Sequence, residues 1–332
     1  AALVLRNNYL QTLALSLAEG RGMEDFGYQR RLMQVLEGRG LLDRAVETLP
    51  DDAVLAEREA EGRPLTRPQL AVLLAYAKIV LFDDLLETRL PDDPALAGEL
   101  HGYFPPAMRE AFSADIDGHR LRREIVATRI ANMMINRGGP TLVVRMADQA
   151  GAGVEEIARA FLLARAAFDL DAIDDAIDGL DAAISGTVQL SLYRTVQDLL
   201  LEATLWFLRN VDFAVPLADL VDRFRPGIEE IRATLAAAGL PEEFQASLDQ
   251  RRDGLVASGV PEGLATRLAR MPGGARAADA ILIAETAERP LATALGALVS
   301  TAAYFRIGEI DDLARSVGVR DYYDGLALDR AR

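Results

Sequence analysis

Apolar residues recur along this chain at three- and four-residue spacing, in segments punctuated by Pro and Gly, which is the periodicity of amphipathic helices. The clearest segment predicts a helix over residues 66–88. Thr66 can cap it, and Pro68 falls in the first turn, where a missing N–H costs nothing. Leu70, Leu73, Leu74, Ala77, Leu81 and Leu85 then share one face, and Asp83 and Asp84 interrupt a face otherwise suited to burial. A second long helix is expected over 117–137, using Leu121, Ile125, Thr128, Ile130, Met134 and Ile135, with Gly138, Gly139 and Pro140 ending it. A third should cover 188–210. A shorter one, over 227–238, should close at Gly239, with Pro241 opening a new first turn. The whole chain reads as roughly sixteen to nineteen helices joined by short turns, with no alternating run long enough for a sheet. The expected fold is all-α, a multi-helix array of antiparallel helical hairpins with no substantial β-sheet.

Within that array the expected division is an N-terminal helical subdomain over 1–105 and a C-terminal one over 106–332. Two self-similarities stand out. Residues 49–56 read LPDDAVLA and residues 90–97 read LPDDPALA, each a turn whose aspartates can cap the next helix. Residues 160–175, AFLLARAAFDLDAIDD, align with residues 297–312, ALVSTAAYFRIGEIDD, at a constant offset of 137. Each is a helix, a Phe-x-Leu/Ile hinge and an acidic helix start, either a duplicated helical hairpin or two hairpins with similar turn chemistry.

Composition narrows the function classes. The 332 residues carry 36 Lys plus Arg against 51 Asp plus Glu, a net charge of −15, which disfavours general binding to nucleic acid or an anionic membrane surface. Zero cysteines remove disulfides, thiolate zinc sites and thiol nucleophiles, and suit a reducing, cytoplasmic setting. The longest apolar stretches, 71–82 and 292–305, are interrupted by Lys78 and by Ser300 and Thr301, and fall short of the roughly 18 residues a bilayer crossing needs. The chain has no initiating Met and opens directly in a helical pattern, so it reads as a fragment of something longer.

Chemistry-bearing motifs are sparse. No glycine-rich phosphate loop follows a strand, and Gly151, Gly153, Gly273 and Gly274 read as turns. There are two histidines, His101 and His119, and His119 beside arginines at a helix start reads as an exposed or capping residue before it reads as a general base. Asp174, Asp175 and Asp178 form a DDxxD pattern, whose spacing sets carboxylates on adjacent helical turns, as magnesium-binding class I terpene synthases use it. The pattern lies in a longer run, Asp169 to Asp181, in which Asp171 can cap. No second metal motif accompanies it, so a solvated acidic face is the preferred reading and a self-sufficient magnesium-dependent enzyme of that kind the alternative. Lys78 could be an activated amine, but a lysine on such a face more often snorkels or pairs with a carboxylate such as Asp83.

Several segments carry a family resemblance: LRNNYLQT at 5–12, LTRPQLAVLLAYAKI at 65–79, LRREIVAT at 121–128 with ANMMINR at 131–137, and DYYDGLA at 321–327. Together they resemble the C-terminal region of the large bacterial NAD-specific glutamate dehydrogenases, across essentially the whole chain. The resemblance implies an oxidoreductase of amino-acid catabolism that converts L-glutamate to 2-oxoglutarate and ammonium, with the glutamate and NAD sites upstream of the block at 5–12. It therefore implies no catalytic, cofactor or metal residue in this chain, NAD only in the parent enzyme, and no activity for the chain alone. The implied role is that of scaffold, interdomain packing surface or regulator. Implied partners are the upstream catalytic domain of the same polypeptide and further copies in a homo-oligomer, with no nucleic acid or membrane. Arg6, Asn7, Asn8, Tyr9 and Gln11 form the polar cluster nearest the implied catalytic segment and are the expected interdomain contact, against the plainer reading of an exposed helix face.

Overall fold

Among the described residues, nineteen α-helices and four short 3₁₀ turns account for the secondary structure, with no strand. The structure is a computed structural model that describes residues 2–237, 242–319 and 322–331. The chain divides into two compact units, residues 1–159 and 160–332. The division falls within helix α10 (Val154–Ala167), so residue 105 lies inside the first unit.

The first unit contains α1 (Ala2–Arg21), α2 (Phe26–Gly38), α3 (Asp52–Ala60), α4 (Arg67–Leu86), α5 (Ala97–Tyr103), α6 (Pro106–Ala111), α7 (Ser113–Asp117), α8 (Arg122–Gly138) and α9 (Leu142–Ala150). Helix α4 forms where its sequence dictates. Thr66 is the N-cap in a reciprocal capping box with Gln69, and the buried residues are Leu70, Leu73, Leu74, Ala77, Leu81 and Leu85. That stripe packs mainly against α8, and α1 packs on both. Arg123 in the first turn of α8 donates to the carbonyls of Leu86, at 2.7 Å, and Thr88, at 3.1 Å. It satisfies acceptors that the end of α4 leaves open and fixes the two helices antiparallel. At the other end Arg67 reaches α1 through Ser16 (3.2 Å) and Glu19 (2.8 Å).

Helix α8 starts later than the expected position 117. Gly118 and His119 form a turn in which the Leu121 amide donates to His119 Nδ1 at 3.1 Å; the N-cap of α8 is Leu121 itself, with no side-chain cap bond, so His119 braces the turn rather than capping the helix. Leu121 is thereby left exposed, and the buried stripe runs through Ala127, Ile130, Ala131 and Met134. The helix ends at Gly138 as its Gly-Gly-Pro sequence requires. Gly139 has φ of 90°, a region that favours glycine, and a Cβ on Gly138 would stand 2.7 Å from Leu142. The two LPDD turns are both caps: Asp51 accepts from the Val54 amide and Asp93 from the Ala95 amide.

The second unit contains α11 (Leu170–Asp178), α12 (Gly186–Asn210), α13 (Leu217–Ala237), α14 (Glu242–Ala257), α15 (Glu262–Ala269), α16 (Asp279–Ala287), α17 (Leu291–Tyr304), α18 (Ile307–Arg315) and α19 (Tyr322–Ala331). Helix α12 supplies much of its core. Trp206 and Phe207 stack edge-to-face with Phe224 of α13 at centroid distances of 5.8 and 5.1 Å, and the Trp206 indole donates to Asp279 at 2.7 Å. Helix α13 corrects an expectation: it begins ten residues before position 227 and runs through Pro226. Leu217, Leu220, Phe224, Ile228 and Ile231 form one buried stripe across the proline, and that burial outweighs the hydrogen bond Pro226 cannot make. The expected stop at Gly239 and Pro241 lies outside the described residues.

Candidate functional site

The segments at 160–175 and 297–312 lie in two helix–turn–helix hairpins whose boundaries are displaced by 137 residues throughout. Helix α10 corresponds to α17 and α11 to α18, and the hinge residues Asp169 and Arg306 both take left-handed φ, at 53°. Equivalent side chains differ sharply in environment. Phe168 and Ile173 of the first hairpin are 7% and 1% exposed, with α12 packed on α11, whereas their counterparts Phe305 and Ile310 are 59% and 58% exposed. Tyr304 and Leu313 in the same hairpin, and Val317 just after it, are exposed as well. Arg276 reaches Asp311 at 3.9 Å and ties α18 down at one edge, leaving the apolar face open. Exposed apolar side chains gathered on one hairpin make it a candidate interaction surface.

The acidic run does not form a metal centre. Asp171 pairs with Arg165, and Asp174, 2% exposed, approaches the same guanidinium at 3.5 Å. Asp178 accepts from the Tyr193 hydroxyl, and Asp169 pairs with Arg267 at 3.1 Å. The carboxylates of 174 and 178 are thus engaged by different partners, and among the described residues no group of three or more acidic or histidine side chains is placed to share an ion. This overturns both the magnesium reading of Asp174, Asp175 and Asp178 and the fully solvated face. The run is in part a buried ionic anchor, because Arg165 arrives from the neighbouring helix. Nor is Asp171 the cap of α11, whose N-cap is Asp169.

Lys78 neither snorkels nor pairs with Asp83. Its ammonium nitrogen is buried with no hydrogen-bond partner, and burial lowers its ionisation from 10.5 to about 8. Of the polar cluster on α1, Arg6, Asn8 and Tyr9 are exposed while Asn7 and Gln11 are half-buried. Asn7 accepts from the buried Asn136 amide at 3.2 Å, which ties the cluster to α8. Val4 and Leu5 beside it are also exposed.

One polar network has no counterpart among the expected sites. Asp25, 4% exposed, pairs with Arg145, whose guanidinium lies 4.3 Å over the Tyr28 ring, and the Tyr28 hydroxyl accepts from Gln149 at 2.8 Å. These residues join α2 to α9 across more than a hundred positions of sequence, so no local spacing signals them.

The second unit thus combines an open apolar hairpin with an acidic motif whose Asp174 and Asp178 are held by Arg165 and Tyr193 in an all-helical array. The chain matches the family described as "Glutamate dehydrogenase, C-terminal" over residues 62–332, and it belongs to that family. It is 42% identical over 227 residues to the NAD-specific glutamate dehydrogenase of Pseudomonas aeruginosa and 37% identical over 233 residues to that of Halomonas elongata, covering 68% and 70% of this chain. The enzyme of the same name from Mycobacterium tuberculosis is 31% identical over 192 residues, 58% of this chain. The matched regions span only 14%, 14% and 12% of those three relatives. No described helix is long and apolar enough to cross a membrane.

Proposed function

We propose that this chain is the helical accessory region of a cytoplasmic NAD-specific glutamate dehydrogenase, and that oxidation of L-glutamate to 2-oxoglutarate and ammonium takes place in another part of the same polypeptide. The observation that carries the reading is the pair of hairpins in one register, the first covered and the second bare. The covered hairpin indicates what the bare one accepts, namely an apolar helical face of the kind α12 presents to α11. The small share of each relative that this chain matches supports a large remaining polypeptide that can supply such a face. Arg6, Asn7, Asn8, Tyr9 and Gln11, with Val4 and Leu5, form a second contact surface toward that part, and the whole enzyme is a homo-oligomer.

Two experiments test this. NAD and L-glutamate added to the 332-residue chain should yield no NADH absorbance at 340 nm. In the intact polypeptide, Ile310→Glu should lower activity or disrupt assembly while leaving the helical circular dichroism of the 332-residue chain unchanged. Turnover by the chain alone, or an intact enzyme indifferent to Ile310→Glu and Leu313→Glu together, would contradict the proposal.

A further inference from the structure

Within the second unit, α12, α13 and α15 surround a cavity of about 120 Å³. Phe168, Ile173, Leu199, Ile231 and Met271 give it apolar walls. Its charged groups are Arg232 on α13, Arg267 on α15 and Arg270 just beyond the end of α15.

These arginines are under-compensated. Arg267 binds Asp169, which is shared with Arg225 at 3.8 Å, and Arg225 also holds Glu229 at 3.2 Å. Among the described residues Arg232 and Arg270 make no direct ion pair or hydrogen bond, and Arg232 feels the carboxylates of Asp169 and Glu229 only at longer range, both already held by other arginines. Among the described residues four guanidinium groups therefore share two carboxylates, a local surplus of positive charge in a chain whose net charge is −15. Burial and then the neighbouring Arg267 push the ionisation of Arg232 below its ordinary value. The Nε of Arg267 is buried without an acceptor. Each of these costs free energy in the empty protein that an anion at the cavity would recover.

We propose that this cavity is a binding site for a small monocarboxylate with a compact, branched aliphatic body, its carboxylate held by Arg232 and Arg270 and its body against Ile173, Leu199 and Met271. The planar guanidinium fork matches a carboxylate in two-point geometry. The volume sets the size of the body, since a dry apolar cavity of about 150 Å³ accepts benzene and this one suits about four to six carbons. A second carboxylate, as in glutamate, would be buried among apolar walls, and an α-ammonium would meet the same surplus of positive charge. The site therefore selects monocarboxylates without an amino group. It is set apart in chemistry from any glutamate site, and holds whichever part of the polypeptide carries the reaction.

Methionine-methyl NMR on the 332-residue chain tests this directly, because Met271 is the only one of the seven methionines beyond residue 159. Titration with 4-methylpentanoate should give a saturable shift of the Met271 signal and leave the other six unmoved. Acetate, L-leucine and 4-methylpentan-1-ol should each bind at least about tenfold more weakly, the alcohol because it lacks the charge that the arginines require. Arg232→Gln should weaken 4-methylpentanoate by about tenfold or more while the chain stays folded, since it removes an uncompensated cation. Ala277→Leu, which fills the cavity, should abolish the shift, and Arg270→Gln gives an independent check if that variant folds poorly. No movement of Met271, equal binding of the alcohol and the acid, or unchanged binding in both arginine variants would overturn the proposal.

Discussion

Lys78 offers a direct measurement of how the first unit is packed. Its ammonium nitrogen is buried among α4 and its neighbours with no acceptor, and its ionisation falls from 10.5 to about 8. Taken in full at about 1.4 kcal/mol per pH unit, that gap would cost the charged folded protein about 3 kcal/mol at pH 7. The side chain is only partly buried, so solvent screening reduces the expected cost to about 1–2 kcal/mol. Lys78→Met keeps the length and removes the charge, and should raise stability at pH 7 by that amount. The pH dependence gives the sign. Between about pH 8 and 10.5 the unfolded chain holds the lysine proton and the folded chain does not, so this group adds stability to the parent protein as pH rises through that window. The advantage of Lys78→Met should be full below pH 8 and fade toward pH 10.5. Urea unfolding followed by far-UV circular dichroism at pH 7 and pH 10, for both proteins, reads the difference directly. A variant that is less stable than the parent at pH 7, or a difference that does not change with pH, would show that the ammonium has a charged partner and refute the reasoning.

Other substitutions test other links. Asp174→Ala removes a buried carboxylate from beside the buried Arg165 guanidinium and should cost about 3 kcal/mol, measured by chemical unfolding; a near-neutral result would mean that the pair is not formed. Thr66→Ala removes half of the capping box of α4 and should cost about 1 kcal/mol in the same assay, whereas a loss below a few tenths would remove the cap from the account. Phe207→Ala deletes a fully buried ring that stacks on both Trp206 and Phe224 and should cost about 3–5 kcal/mol, with a shift in Trp206 fluorescence. Retention of the parental emission and stability would contradict the aromatic core.

Much of the fold was legible because its signals are local. Thr66, Pro68 and the leucine stripe of α4 specify start, register and buried face within twenty residues, and the 137-residue offset in the sequence matches the offset of both hairpins. Reading failed where a local rule met a longer-range one. Pro226 marks a helix start by local steric reasoning, yet the stripe from Leu217 to Ile231 continues across it. Asp174 looks solvent-facing in a run of aspartates, and only the return of α10 brings Arg165 against it. The solitary lysine was visible, but its lack of an acceptor follows from the packing of α4 against other helices. Arg267 and Arg270 are one turn apart at the end of α15, but Arg232 comes from α13, and nothing in the sequence says that the two helices bring them to one cavity.

The central claim is that the bare hairpin is covered in the whole enzyme. Because this chain contains no cysteine, Ile310→Cys introduces its single thiol, and the alkylation rate of that peptide can be compared between the 332-residue chain and the intact polypeptide. Rapid labelling of the chain alone and protection of at least about tenfold in the intact polypeptide is the predicted result. Equal rates in both would contradict the account.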